Sequence, residues 1–107
     1  MEIKILRLVS LAKKAGQITH GSFLTEKAIR DGRAKVVLMA RNTGENTRKN
    51  ITNLCTRFSI PLIEIADKIT LANAIGKEET SVMAVLDQNF QNGIIKAAGY
   101  GLAELEE

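Results

Sequence analysis

Apolar residues recur along this chain with two different spacings, and the switches between them predict its elements. From Glu2 to Ala15 they fall at Ile5, Leu8, Val9, Ala12 and Ala15, the three-and-four spacing of a helix with one buried side. Gly16 ends that helix, and Lys13 and Lys14 sit in its last turn, where cations suit the helix dipole. Gln17 to His20 is a short extended piece, too polar for the middle of a sheet, and reads as an edge strand. Gly21 and Ser22 then start a second helix that Gly32 stops. At about 100° per residue, Leu24, Thr25, Ala28 and Ile29 gather on its core side, while Phe23, Glu26, Lys27 and Arg30 fall on the wet side.

Val36 to Ala40 is a continuous apolar run, the pattern of a strand covered on both faces. A polar loop from Arg41 to Thr47 leads into a helix reaching about Phe58, with Ile51, Leu54, Cys55 and Phe58 inside and Arg48, Lys49 and Arg57 outside. Ile60 to Ile65 is a strand whose first position tolerates Pro61. Asp67 caps a helix with Leu71, Ala74 and Ile75 towards the core, and Gly76 closes it. Val82 to Leu86 is a second doubly covered strand, followed by a helix from Asn89 to about Ala98 and a frayed tail over 104–107. Strands alternating with helices throughout, two of the strands apolar on both sides, predict a three-layer α/β/α sandwich around about four strands, their order open.

At 107 residues this is expected to be one domain, 1–107, with enough chain to bury a core without staples. A single cysteine excludes an internal disulfide, and Cys55 lies in a helical apolar stripe where packing explains it. No apolar window is long enough to span a bilayer and no basic leader precedes one, so the expected setting is the cytoplasm and the expected state a monomer. Charge changes the picture more. Residues 1–57 carry twelve Lys and Arg against four Asp and Glu, whereas residues 58–107 carry three against eight. A basic half of this kind suits a polyanionic partner.

Catalytic constellations are missing from the sequence. His20 is the only histidine and has no Cys, Asp or Glu at metal-ligand spacing, so neither a metal nor a cofactor is expected. Ser22 beside His20 lacks a nucleophile elbow, and the Gly44 loop after the apolar strand lacks both the G-x-G-x-x-G spacing and a P-loop lysine. Nucleic-acid binding fits better. With Phe58 assigned to the core, Phe23, Phe90 and Tyr100 make no platform for successive unstacked bases. No helix is uniformly basic as a DNA major groove would favour, so DNA is not expected. Shape-selective recognition of structured RNA remains, with the open amides at the start of the second helix, Lys27 and Phe23 as one small surface.

The same residues carry a family resemblance. Leu11-Ala12-Lys13-Lys14-Ala15-Gly16, Gly21 with Lys27-Ala28 and Gly32, Ala34-Lys35-Val36-Val37-Leu38, Asn46-Thr47-Arg48-Lys49, Ile60-Pro61, and Leu71 to Gly76 running on to Val82-Met83-Ala84-Val85 stand in a characteristic order and spacing. Over nearly its whole length the chain resembles the ribosomal-protein superfamily of L-seven-Ae and L-thirty-e, above all its small bacterial YlxQ-type members. That resemblance implies a mixed sheet in an α/β/α sandwich and binding to kink-turn RNA, a bent duplex with tandem sheared G·A pairs, ribosomal RNA being one source.

It further implies that the start of the second helix enters the groove at those pairs. Gly21 and Ser22 match the family's close-approach turn, and Lys27 its guanine-reading lysine. Gly76, Lys77, Thr80 and Ser81 match the loop that covers a base thrown out at the bend. Arg30, Arg33, Lys35, Arg41, Arg48 and Lys49 are the candidates for phosphates, with Arg41 and Arg48 best placed, near the loop after the central strand. The departure is Phe23-Leu24, where typical members carry Asn-Glu or another polar pair. An apolar pair there also fits a different reading, a protein-interaction module that kept the fold and lost RNA.

Overall fold

Two strands of continuous apolar sequence sit side by side at the centre of the computed structural model, which describes residues 2–99. They are β2 (Val36–Met39) and β4 (Val82–Val85), paired antiparallel with Val37 opposite Ala84 and Leu38 opposite Met83. Successive strand residues point to opposite faces, and both faces are covered. Val36, Leu38, Met83 and Val85 pack with Ile5, Val9, Leu71, Ile75 and Ile94 on one side. Val37, Met39, Val82 and Ala84 pack with Ala28, Ile29, Ile51 and Leu54 on the other.

The covering helices explain that division. α1 (Glu2–Lys14), α4 (Lys68–Asn73) and α5 (Gln88–Ala97) supply the first side, and α2 (Ser22–Arg30) and α3 (Glu45–Arg57) the second. β1 (Ile18–His20) adds antiparallel to β4, and β3 (Leu62–Glu64) adds parallel to β2, giving the order β1-β4-β2-β3. The fold is a three-layer α/β/α sandwich on a mixed four-stranded sheet, with the polar β1 at an edge as its composition predicts.

Three side chains depart from the periodic reading. Phe58, expected inside, is 41% exposed, because α3 ends at Arg57 and Phe58 takes φ −100° and ψ 7° as its C-cap, off the helical stripe. Leu24, also expected inside, is 45% exposed. It lies in the first turn of α2, where the core contacts begin only at Thr25 and continue at Ala28 and Ile29. Ala15 is exposed because α1 stops at Lys14. Tyr100 and the tail expected over 104–107 lie outside the described residues. Among the described residues, no helix is long and apolar enough to cross a membrane.

Cys55 is buried within the α2/α3 side of the core, and burial pushes its thiol up to about 11. Only the thiolate alkylates readily. In the native protein at pH 8, Cys55 is therefore expected to resist iodoacetamide and to react only once urea opens the core. Rapid labelling of the folded chain, followed by mass spectrometry, would contradict this packing.

Candidate nucleic-acid interface

Strand directions bring four connections to one end of the sheet. β1 and β2 finish there, β3 runs parallel to β2 and finishes there too, and the antiparallel β4 starts there. The β1–α2 turn, the β2–α3 loop, the β3–α4 loop and the α4–β4 loop consequently meet.

Backbone bonds stitch them together. The Gly21 N–H donates to the Val82 carbonyl at 3.0 Å, tying the start of α2 to the end of the α4–β4 loop. The Ala40 N–H donates to the Ser81 carbonyl at 2.8 Å. The Thr43 hydroxyl lies 2.6 Å from the Ala40 carbonyl and 3.3 Å from that of Ser81. Arg41 donates its N–H to the Ala66 carbonyl at 2.9 Å, and Asn42 Oδ1 accepts from the N–H of Lys68 at the start of α4.

Gly21 is the N-cap of α2, with φ 89° and ψ 153°, a conformation open to glycine and strained for other residues. No side chain caps the helix, so the first-turn N–H groups of Ser22, Phe23 and Leu24 have no partner within the helix and carry its positive end. A Cβ placed on Gly21 would meet nothing within 4 Å, so the space in front of the turn is open. Phe23 stands beside it, 78% exposed. These atoms make an open ledge of amide donors, the positive end of the helix dipole, with one aromatic plane.

The expected basic residues are arranged less simply. Lys27 Nζ donates to Asp31 Oδ2 at 3.0 Å, which draws the ammonium towards the far end of α2. Arg30 lies 3.4 Å from Glu26, Arg41 pairs with Glu2, and Arg48 pairs with Glu64 while donating to the Arg41 carbonyl at 2.7 Å. In the α4–β4 loop Gly76, with φ 74°, and Lys77 are exposed. Thr80 is a correction to the sequence reading: it is buried, and its hydroxyl donates to the Val82 carbonyl, so it supports the loop from inside. Ser81 is half-buried and contributes its carbonyl to the same scaffold. Gly21, Ser22 and Phe23 therefore share the start of α2, Lys27 lies in its last turn, and Arg41 and Arg48 lie across the sheet end near β3.

Sequence reasoning missed Glu2 and Asn42. Glu2 Oε1 accepts from the Ala66 N–H at 3.2 Å besides pairing with Arg41, across separations that no local pattern reveals. A cavity of about 430 Å³ lies beside it, lined by Ile5, Leu62, Ile63 and Ala98 among others. The Arg41 hydrogen bond holds the Glu2 carboxyl below its ordinary range, the reverse of what a general acid needs. Among the described residues no three His, Cys, Asp or Glu side chains converge to hold a metal.

Titration of four groups works in one direction. Burial, then the charges of Lys77 and Lys13, lower the pKa of His20. Glu2 is lowered mainly by Arg41, Asp31 mainly by Lys27, and Asp67 mainly by the Thr70 N–H that its side chain caps at 2.7 Å. Each group binds its proton more weakly in the folded chain than in the unfolded one. Their stabilisation is therefore complete above the unfolded values and is lost as pH falls, first below about 6.5 for the imidazole and then below about 4 for the carboxylates. Urea midpoints are expected to decline in those two stages on acidification. A midpoint that rises between pH 7 and 5 would contradict the His20 environment.

Residues 3–95 match the Ribosomal protein L7Ae/L30e/S12e/Gadd45 family, and the chain belongs to it. Within that family the chain is similar to the bacterial YlxQ proteins. It is 38% identical over 88 residues to the RNA-binding protein YlxQ of Bacillus subtilis (strain 168), covering 82% of this chain and 88% of that one. It is 31% identical over 87 residues to the RNA-binding protein YlxQ of Enterococcus faecium, covering 81% and 84%. Among solved structures, a Bacillus halodurans protein of unknown function superposes with a TM-score of 0.83 at 29% identity, over 97% of this chain and 98% of that one. The Giardia lamblia 15.5kD RNA binding protein does so at 0.78, over 91% and 83%; at 20% identity this is a likeness of fold alone.

Proposed function

We propose that this chain is a non-enzymatic RNA-binding protein that grips a kink-turn or similarly bent RNA with the start of α2 and the α4–β4 loop. The observation that carries the reading is the uncapped amide end of α2, bonded through Gly21 to the strand that the α4–β4 loop enters. Relatives covering most of the chain are named RNA-binding proteins, which supports the same class of ligand.

In this reading the Ser22, Phe23 and Leu24 amides and the Lys27 ammonium meet the base edges at the bend. Phe23 packs on a sugar or base face. Arg30, Arg41, Arg48 and Lys77 serve phosphates, and the loop from Gly76 to Ser81 covers the displaced base, held in shape by Thr80. The protein acts as a cytoplasmic monomer.

A gel shift with one kink-turn RNA and the same RNA with its G·A pairs disrupted tests this directly. Each lost base contact is worth about 1–3 kcal/mol, so disruption is expected to weaken binding at least about tenfold. Equal binding to both would overturn the kink-turn reading. The exposure of Phe23 and Leu24 favours a second reading, a protein-interaction module on the same fold. A protein partner held by those apolar groups would show shallow salt dependence, where RNA binding falls steeply with salt.

A further inference from the structure

Four of the cations assigned to RNA already meet a carboxylate of their own chain. Lys27 is paired with Asp31, Arg30 with Glu26, Arg41 with Glu2 and Arg48 with Glu64, each pair with at least one exposed partner. Lys77, by contrast, makes no ion pair among the described residues. Such exposed pairs add little to folding stability, so their consequence lies in the field the site projects.

A cation touching a carboxylate presents a dipole, not a net charge, to a phosphate still some ångströms away, and salt screens what remains beyond about 8–10 Å. Long-range attraction to any polyanion is thereby reduced. At contact the balance changes. A phosphate offers a guanidinium the same bidentate geometry as a carboxylate does, so it can take the carboxylate's place. An RNA that brings phosphates against several of these cations at once gains several exchanges, whereas a straight helix touching one or two gains little.

From this we infer that Asp31, Glu26, Glu2 and Glu64 are specificity determinants that compete with phosphate for the cations and suppress binding to RNA of ordinary duplex shape. The inference rests on the RNA-binding reading above. Glu2 is the most informative of the four, because it also accepts from the Ala66 N–H, where the backbone has φ 58°. A Glu2→Gln change keeps that acceptor and removes only the charge.

The experiment measures binding to a straight RNA duplex between about 50 and 200 mM salt. It compares the full chain, Glu2→Gln, Glu64→Gln, and the variant combining Glu2→Gln, Glu26→Gln, Asp31→Asn and Glu64→Gln, each checked for native circular dichroism. Each neutralised carboxylate is expected to steepen the salt slope by up to about 0.7–0.9, the increment for one more phosphate contact. The combined variant should bind the duplex about tenfold more tightly near 0.1 M salt and gain less on kink-turn RNA, so that selectivity falls. Adding Arg41→Gln to Glu2→Gln should reverse that variant's gain.

Duplex affinity and slope unchanged in the folded Glu2→Gln and combined variants would overturn the inference, as would a loss of duplex binding. Because the readout is the straight duplex, its failure is separable from that of the kink-turn reading, which is decided by the G·A comparison on the unaltered chain. Absence of binding to either RNA by every variant would overturn both.

Discussion

Replacing Lys27 with alanine is expected to weaken binding to kink-turn RNA by about five- to 150-fold, the loss of one good base contact worth about 1–3 kcal/mol. Binding to a straight duplex should change by only about twofold, and thermal stability hardly at all. The structure explains the separation. Lys27 makes only an exposed pair with Asp31, one turn further along α2, and supports no core residue. Its ammonium can leave Asp31 and swing to the helix start at little expense, because surface pairs of this kind are weak. Gel shifts on both RNAs check the prediction; equal losses would reduce Lys27 to one more positive charge. Its effect is also expected to exceed that of Arg41→Ala, whose guanidinium is engaged by Glu2 across the sheet end.

Leu38→Ala should lower folding stability by about 2–5 kcal/mol, the usual range for emptying a buried leucine site. That is a large part of the roughly 5–15 kcal/mol available to a natural domain. Leu38 is fully buried in the central strand, opposite Met83 on one neighbour and Ile63 on the other. The surrounding sheet and the helices above it cannot easily collapse into the space. Phe58→Ala is the informative contrast, since a half-exposed ring at a helix C-cap should lose about 1 kcal/mol or less. Urea titrations of both variants distinguish the observed packing from the periodic expectation, under which Phe58 would be the costlier loss.

Much of this architecture was legible because its causes are local. The unbroken apolar runs at Val36 to Ala40 and Val82 to Leu86 announced strands covered on both faces, and the observed strands Val36–Met39 and Val82–Val85 are buried throughout. The stop at Gly16, the start at Gly21 and the cap at Asp67 follow from backbone chemistry that one or two residues decide. Periodicity misled only at helix ends. It counted Leu24 and Phe58 as inside because a stripe continues on paper beyond the point where a neighbouring element exists to cover it. Of the candidate site, the Gly21–Ser22 start and exposed Phe23 were readable from the sequence. The engagement of Lys27, Arg30, Arg41 and Arg48 by carboxylates was not read from it, and neither was the burial of Thr80.

Residue order alone set where each helix and strand lies and which side of most of them avoids water, because those choices depend on neighbours within a turn or two. Which strands became neighbours, and so which loops share an end, came from packing between segments far apart in the chain. The pairing of β4 between β1 and β2 and the bonds from Glu2 to Arg41 and Ala66 are of that kind. Such contacts offset a loop-closure entropy that no short window registers, and only the folded chain brings their partners together.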